Sequence, residues 1–308
     1  MSSDPLAQAG PEAVTYPPGV AYIDGRFCPM SEAKISVLDW GFLRSDATYD
    51  VVHVWERRFF RLDLHVDRFL RGVERLRLSL PFERAALVDI LKECVRRSGL
   101  SSAYVEMVCT RGFSPRFSRD PRDADNRFIA FAIPFSWVAD EAQRERGLHL
   151  AISKIARIPP ESLDPTIKNY HWLDIVQGLY EAYDRGAENA LLVDFAGNVT
   201  EGAGFNVFAV KDGGVVTPGR GVLEGITRRT ALDLCAELGI AAAQRPLPAD
   251  ELRAADEVFI SSTAGGIMPV TKIDDAPVGD GRPGPTTARL AQLYWAKHRD
   301  PDWTTPVD

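Results

Sequence analysis

A lysine and a carboxylate stand out for the company they keep. Lys168 closes the run Ser162-Leu-Asp-Pro-Thr-Ile-Lys168, in which Pro165 fixes the backbone just upstream. Most lysines occupy solvated surfaces under no such constraint. Glu201 lies in Thr200-Glu201-Gly-Ala-Gly-Phe-Asn206, and an apolar run from Phe205 to Val210 follows. A carboxylate placed there points into the protein rather than into water. Such an amine and carboxylate are the pair that pyridoxal phosphate chemistry requires. The amine forms a Schiff base, and the carboxylate keeps the ring nitrogen protonated so that the ring accepts electrons.

Two segments offer backbone donors to an anion. Gly225-Ile226-Thr227 opens a predicted helix, where free N–H groups and the helix dipole favour negative charge. Thr263-Ala-Gly-Gly266 follows a predicted strand and sets a hydroxyl beside glycines that admit close backbone approach. Arg68, one turn beyond His65 on a predicted helix, has the fork that meets phosphate through two hydrogen bonds. Each feature alone reads as an ordinary turn or a surface arginine; together, beside Lys168, they favour a phosphate-bearing ligand. Other motifs fail. Gly202-Ala-Gly204 begins like a dinucleotide loop, but Val207 stands where the third glycine belongs, and no G-x-x-x-x-G-K-[ST] run occurs. The histidines, His53, His65, His149, His171 and His298, include no pair at metal-ligand spacing, so no metal is expected. His53 and His65 read as packed or capping residues.

Composition narrows the classes. The 308 residues are 45% hydrophobic and 26% charged, as expected of a soluble globular chain with room for sizeable cores. A net charge of −7 without a basic block argues against a nucleic-acid partner, since Arg57-Arg58, Arg96-Arg97 and Arg228-Arg229 are short and scattered. Cys28, Cys94, Cys109 and Cys235 form no C-x-x-C pair, which points to free thiols in a reducing compartment. The start Met-Ser-Ser-Asp-Pro lacks a secretory signature, and the longest apolar run, Phe128 to Phe135, is interrupted by Pro134. The expectation is a cytoplasmic protein with no membrane partner.

Strands outnumber crossover helices, and many are joined by tight turns, which predicts an α+β fold in two domains rather than a doubly wound sheet. Residues 1–19 read as an arm, 20–133 as a small α+β domain, 134–144 as a linker, and 145–300 as a larger α+β domain carrying Lys168. Asp24-Gly25 is a hairpin signal between the first strands. Strands are expected over Ala47–Trp55 and Arg58–Leu62, with Asp63 capping a helix that buries Val66, Phe69, Leu70, Val73 and Leu76. A helix over Glu83–Ser98 ends at Gly99, and strands near Ala103–Thr110 and Arg127–Ile133 flank a polar, arginine-rich loop at 111–126. In the second domain, helices are expected over Asn169–Asp184, Thr227–Leu238 and Pro285–His298.

Taken in order, several segments resemble the fold-type IV pyridoxal phosphate enzymes, a group that includes branched-chain and D-amino acid aminotransferases and aminodeoxychorismate lyase. They are Gly41-Phe-Leu-Arg-Ser-Asp-Ala-Thr-Tyr49-Asp-Val51, Arg58 to Arg68, Pro159 to Asn169, Thr200 to Val207, Gly221-Val-Leu-Glu-Gly-Ile-Thr227-Arg228, and Thr263 to Pro269. Within the group the chain is most similar to the (R)-selective amine transaminases, and the likeness spans about Tyr22 to Trp295. The resemblance implies pyridoxal 5'-phosphate held between a small and a large α+β domain, in a homodimer. It assigns the Schiff base to Lys168, the ring nitrogen to Glu201, the phosphate to Arg68, Ile226, Thr227 and Thr263, and the phenolic oxygen to Arg157. It makes Tyr49, Val51, Tyr104 and Trp172 the substrate wall.

The implied reaction is ping-pong transfer of an amino group from an (R)-amine or D-amino acid to a keto acid such as pyruvate. Alternatives are a branched-chain or D-amino acid aminotransferase proper, then a lyase releasing pyruvate from aminodeoxychorismate. A cofactor carrier without catalysis would not need Glu201. The sequence departs from the pattern at two places. Arg44 stands where many amine transaminases of the group carry histidine. The arginine expected to bind a substrate carboxylate falls on Phe117, with Arg116 beside it and Arg119 near, so that carboxylate recognition rests with either Arg44 or Arg116.

Overall fold

The structure, a computed structural model, describes residues 15–308. Most of the arm expected at 1–19 lies outside the described residues. The first sheet is antiparallel and takes β1 (Val20–Ile23), β2 (Arg26–Pro29), β3 (Ala47–Trp55), β4 (Arg58–Phe60), β5 (Ala103–Phe113) and β6 (Asp125–Pro134). Its spatial order is β4-β3-β5-β6-β1-β2, and the C-terminal strand Thr304–Pro306 returns to pair with β4. Asp24 and Gly25 both adopt positive φ, 51° and 77°, so the first hairpin has the turn its sequence announces. The short helix α1 (Trp40–Arg44) precedes β3; α2 (Leu62–Arg75) and α3 (Arg84–Ser98) cover one face of the sheet.

The period of two along β3 decides which residues face which layer. Val52 and Val54 pack with Leu62, Val66, Phe69, Leu87 and Leu91 beneath the helices. Tyr49, Val51 and His53 therefore face the other way, toward the second half of the molecule. Asp63 is not the cap of α2. The helix starts two residues earlier, at Leu62, after Arg61 in left-handed conformation, and no side chain caps it. The loop expected at 111–126 is also shorter, because β5 runs on to Phe113 through a bulge after Thr110 and β6 starts at Asp125.

The second sheet contains β7 (Leu148–Ala156), β8 (Asn189–Val193), β9 (Val199–Gly202), β10 (Phe205–Lys211), β11 (Gly214–Thr217), β12 (Ala242–Gln244), β13 (Glu257–Ser262) and β14 (Gly266–Ile273). Its order is β12-β11-β10-β13-β14-β7-β8-β9, and β9 pairs back onto β10, which closes the middle strands into a ring. Leu150, Ile152, Leu191, Val207, Val258, Ile260 and Val270 fill one face of it. Along the chain between the two sheets comes α4 (Glu141–Arg146), with a capping box at Asp140 and Gln143; it starts in the segment read as linker, 134–144, and runs two residues past it.

Outside the ring, α5 (Leu173–Asp184) packs on β7 and β8 through Ile175 and Ala182. It begins four residues later than expected. The stretch before it is held in turns, with Asn169 accepting from the His171 N–H and donating to the Ile167 carbonyl. That local alternative to helix is the habit of asparagine. Helix α6 (Ile226–Glu237), the short α7 (Ala249–Arg253) and α8 (Pro285–Ala296) complete the chain, with Leu234 and Leu290 of α6 and α8 buried against Phe208 and Phe259. All four cysteines are free and buried, and no helix of the described residues is long and apolar enough to cross a membrane.

Candidate active site

The cavity face of the first sheet and the rim of the second-sheet ring enclose a cavity of about 360 Å³. Tyr49, Val51, Arg68, Tyr104, Arg157 and Lys168 line it, and so do Trp172, Glu201, Ile226, Thr227 and Thr263. Residues far apart in sequence thus converge on one space. Arg44 and Arg116 do not reach it. Arg44 is exposed on α1, its guanidinium 3.6 Å from the centre of the Trp40 ring. Arg116 is on the loop between β5 and β6, 81% exposed, with Asp123 at 3.9 Å. In one chain, then, neither arginine is a cavity residue: one is held by an aromatic face outside it, the other projects into solvent.

Lys168 is fixed by its backbone. Its carbonyl accepts from the Tyr49 N–H at 3.1 Å and from the Thr48 hydroxyl at 2.9 Å, which ties the lysine loop to β3. Upstream, Asp164 accepts from the Thr166 N–H and hydroxyl and is gripped by Arg75 from α2. The residue is half-buried because its side chain opens on the cavity, while its ammonium is enclosed by protein. That desolvation, reinforced by the nearby charge of Arg68, lowers its pKa to about 8, against the pull of Asp50, Glu106 and Glu201. A large share of its amine is neutral just above pH 8. The ammonium lies 4.5 Å from the Tyr49 ring centre, and Tyr49 stacks on Tyr170 at 4.2 Å.

Glu201 is buried on β9. One oxygen accepts from the Leu223 N–H at 2.9 Å and the other from Arg157 Nε at 3.3 Å. Burial raises its pKa, with Arg157 and the Leu223 N–H opposing. Arg157, also buried, donates from Nη1 to Asp174 at 2.7 Å, and Asp174 accepts in addition from the Ile158 N–H. The chain of carboxylate, guanidinium and carboxylate leaves none of the three without a partner, as buried charge demands. Asp174 could not be singled out from sequence, since an acid in the first turn of a helix is commonplace.

At the other end, Arg68 from α2 is locked by Asp50 of β3, Nε to Oδ2 at 2.7 Å and Nη2 to Oδ1 at 2.9 Å, and donates from Nη1 to the Glu224 carbonyl. His65 joins the same carboxylate at 2.8 Å. Burial works against an ionised Asp50, yet Arg68 and His65 together hold its pKa well below the usual carboxylate range. Asp50 had no local cue, being a single acid in an otherwise buried strand. No side chain caps α6, and its first residues, Ile226 and Thr227, line the cavity. A Cβ at Gly225 would overlap Oδ1 of Asn206, so only glycine lets this turn come so close. Ser261, also lining the cavity, has a buried hydroxyl without a partner. These donors suit an anionic group near α6 and Thr263, while Lys168 and Glu201 supply an amine and a carboxylate in the same cavity.

The comparisons agree with this geometry. The amino-transferase class IV family matches residues 47–273. A putative branched-chain-amino-acid aminotransferase of Methanocaldococcus jannaschii is 32% identical over 89% of this chain and 94% of its own. A D-alanine aminotransferase of Staphylococcus haemolyticus is 30% identical over 89% and 95%. Among solved structures, the T.th. branched-chain amino acid aminotransferase with pyridoxamine 5'-phosphate superposes with a TM-score of 0.88 at 31% identity, covering 94% of this chain and 99% of that one. The two-domain fold-type IV architecture, the lysine-bearing cavity and these matches lead to one statement: the chain belongs to the class IV aminotransferases and is a pyridoxal 5'-phosphate-dependent enzyme.

Proposed function

We propose that this aminotransferase takes the amino group of an (R)-amine or D-amino acid and passes it to a keto acid such as pyruvate. The observation that carries the reading is Lys168, a desolvated amine with a lowered pKa, sharing a cavity with buried Glu201 and an aromatic wall of Tyr49, Tyr104 and Trp172. Such a wall suits an arylalkyl substituent. Bound pyridoxal 5'-phosphate supplies an aldehyde that accepts the amino group and a ring that accepts electrons from the substrate carbon. Arg68, the Ile226 and Thr227 N–H groups and the Thr263 hydroxyl would hold its phosphate. Arg157 would meet the phenolic oxygen, and Glu201 the ring nitrogen. A cation next to Glu201 would return its carboxyl toward the ionised form that burial disfavours. Lys168 Nζ, with its lowered pKa, would be neutral enough to take the proton from the substrate carbon.

The working unit in this reading is a homodimer in the cytoplasm. Val37, Leu38, Phe42, Leu43 and Phe117 are exposed apolar side chains on and around α1 and the 114–124 loop, a patch that a second copy would cover. Arg116 on that loop would then reach the partner's cavity and grip the carboxylate of the keto acid.

The second reading, a branched-chain aminotransferase, is favoured by the names of the relatives. A panel of (R)- and (S)-arylalkylamines, D-alanine and L-leucine, each tested with pyruvate and with 2-oxoglutarate, separates the two. Preference for an (R)-amine with pyruvate is expected. Preference for L-leucine with 2-oxoglutarate would replace this reading by the second.

A further inference from the structure

Three buried hydroxyls of the described residues have no hydrogen-bond partner, those of Thr230, Ser261 and Tyr294. Such groups are uncommon, because burying a hydroxyl without a partner is unfavourable. All three belong to one layer. Thr230 is on α6, one turn past Thr227, and Tyr294 is on α8. Ser261 is on β13, two residues beyond Phe259, which shares a core with Leu234 of α6 and Tyr294. The period of two therefore turns Ser261 toward the same helices. Of the three, Ser261 is the one that lines the cavity.

Ser261 stands there among Gly225, Ile226, Thr227 and Thr263, the groups suited to an anion. It is 2% exposed, and its strand is paired on both sides, to Asn206 of β10 and Ile267 of β14. The hydroxyl can turn but cannot withdraw. Its neighbours are already engaged: the Ser262 hydroxyl donates to the Gly204 carbonyl, and the Asn206 amide donates to the Leu223 carbonyl. Tyr294 backs the same two turns from behind. Its ring presses on Gly266 at the end of the Thr263 loop, where a Cβ would come 2.5 Å from Cε1. Burial pushes its phenol up, and Thr227, ahead of Arg61, opposes that, although the tyrosine hydroxyl stops short of a hydrogen bond.

We propose that Ser261 and Tyr294 complete the phosphate end of the cavity. Ser261 Oγ is a further donor to the phosphate. Tyr294 is a positioning residue: its hydroxyl donates to Thr227 Oγ1 and leaves the Thr227 proton to face the ligand. This rests on the reading above that sets the cofactor's phosphate at Arg68, Ile226, Thr227 and Thr263. Three N–H donors of Arg68 are already taken by Asp50 and the Glu224 carbonyl, so neutral donors must supply part of the grip. A hydroxyl that donates to a charged acceptor makes a stronger bond than a neutral pair does, and hydroxyls in series polarise one another.

The test titrates cofactor-free protein with pyridoxal 5'-phosphate and with pyridoxal, which lacks the phosphate, and measures urea unfolding of the same protein. Ser261→Ala should weaken pyridoxal 5'-phosphate about tenfold, or about 1.4 kcal/mol, and leave pyridoxal within about twofold. Tyr294→Phe keeps the ring on Gly266 and should weaken the phosphate ester about fivefold, again sparing pyridoxal. Neither change should lower the urea midpoint, and Tyr294→Phe should raise it, since it removes a buried hydroxyl without a partner. Equal losses for both ligands, or a lowered midpoint, would reveal a structural role only and overturn the proposal. Unchanged affinity for the phosphate ester in either variant would overturn that residue's part. The two variants are read independently, so one that fails to fold leaves the other to decide. Thr263→Ala separates the proposal from the reading beneath it. A phosphate preference lost in Thr263→Ala and kept in Ser261→Ala and Tyr294→Phe overturns the proposal alone. A preference kept in all three means that the phosphate is held elsewhere, and the reading fails with it.

Discussion

The two walls of the cavity are built by different means. On the second-sheet side, buried charges are interlocked. Glu201, Arg157 and Asp174 form a continuous chain, and Leu223 and Ile158 add backbone donors to its ends. On the first-sheet side, rings and branched aliphatics do the lining, Tyr49 stacked on Tyr170 with Val51 and Val108 between strands. The charged wall fixes an electrostatic pattern that cannot shift without leaving a buried charge unpaired, which costs several kcal/mol. The aromatic wall presents shape, and its members can be exchanged at the smaller cost of repacking. Under the proposed function, chemistry falls to the first and recognition to the second. Substitutions on the charged wall should therefore act on every substrate alike, and those on the aromatic side should act on one class of substrate.

The largest effect belongs to Lys168, the one residue both walls serve. Lys168→Ala should lose at least about 10⁴-fold in kcat with every donor, because the nucleophile and the proton carrier vanish together. Borohydride reduction of the natural enzyme should fix cofactor on the peptide that contains Lys168. Label on another lysine, or turnover by the variant, would show that the reactive amine lies elsewhere.

Lys168 also imposes a cost on the fold, and its sign can be checked. Its pKa is about 8 in the folded, cofactor-free chain, against the ordinary lysine value of 10.5. Below pH 8 both states hold the proton, and the penalty for enclosing the ammonium is fully present. Between pH 8 and 10.5 the unfolded chain keeps a proton that the folded chain has released, so stability rises with pH. The penalty is about 3 kcal/mol on the scale of 1.36 kcal/mol per pKa unit. Lys168→Met has no such term. In cofactor-free protein its stability advantage by urea unfolding should be largest near pH 7 and shrink by pH 9.5; a constant difference would mean that the amine is not desolvated.

Glu201→Gln comes next. The amide keeps the volume and can still accept from the Leu223 N–H, so cofactor affinity should change little while turnover falls about a hundredfold, or 2–3 kcal/mol of transition-state stabilisation. The loss should be the same for an amine and for D-alanine. A loss confined to one donor would move Glu201 from the chemical wall to the recognition wall.

The same division governs what sequence could reveal. Lys168, Glu201 and the turn at Gly225 are local signals, each announced by its neighbours, and the structure brings them into one cavity with Tyr49, Val51, Tyr104 and Trp172. Asp50, Asp174 and Glu106 went unread because each is ordinary along the chain. Asp50 is an acid inside a strand, Asp174 an acid in a first turn, and Glu106 a polar residue in an alternating strand. The partners that give them meaning, Arg68, Arg157 and Tyr170, are supplied by other elements. The register of β3 on β5 and the closure of β9 onto β10 are long-range pairings with no local signature. The start of α2 at Leu62 rather than after Asp63 was missed for a related reason. The left-handed Arg61 is held by the Trp303 carbonyl and by Asp233, both remote in sequence.

The smallest effects should come from the two arginines outside the cavity, and they differ. Arg44 has its guanidinium stacked on Trp40, a contact worth about 0.5–1 kcal/mol at an exposed site. Arg116 has only Asp123 at 3.9 Å and is otherwise free to turn. If the 114–124 loop of one copy completes the cavity of another, Arg116→Ala should raise KM for pyruvate about tenfold and leave the half-reaction with an (R)-arylalkylamine within about twofold. A guanidinium pairs with a carboxylate through two parallel hydrogen bonds, so Arg116→Lys should rescue this only in part. Arg44→Ala should leave both half-reactions within about twofold and lower thermal stability slightly, through the bare Trp40 ring. A selective loss of pyruvate with Arg44→Ala, and none with Arg116→Ala, would transfer carboxylate recognition to α1. That result would require the Arg44 side chain to leave Trp40 when a second copy docks, which tryptophan fluorescence would register as a change on dimerisation in the natural protein and not in the variant.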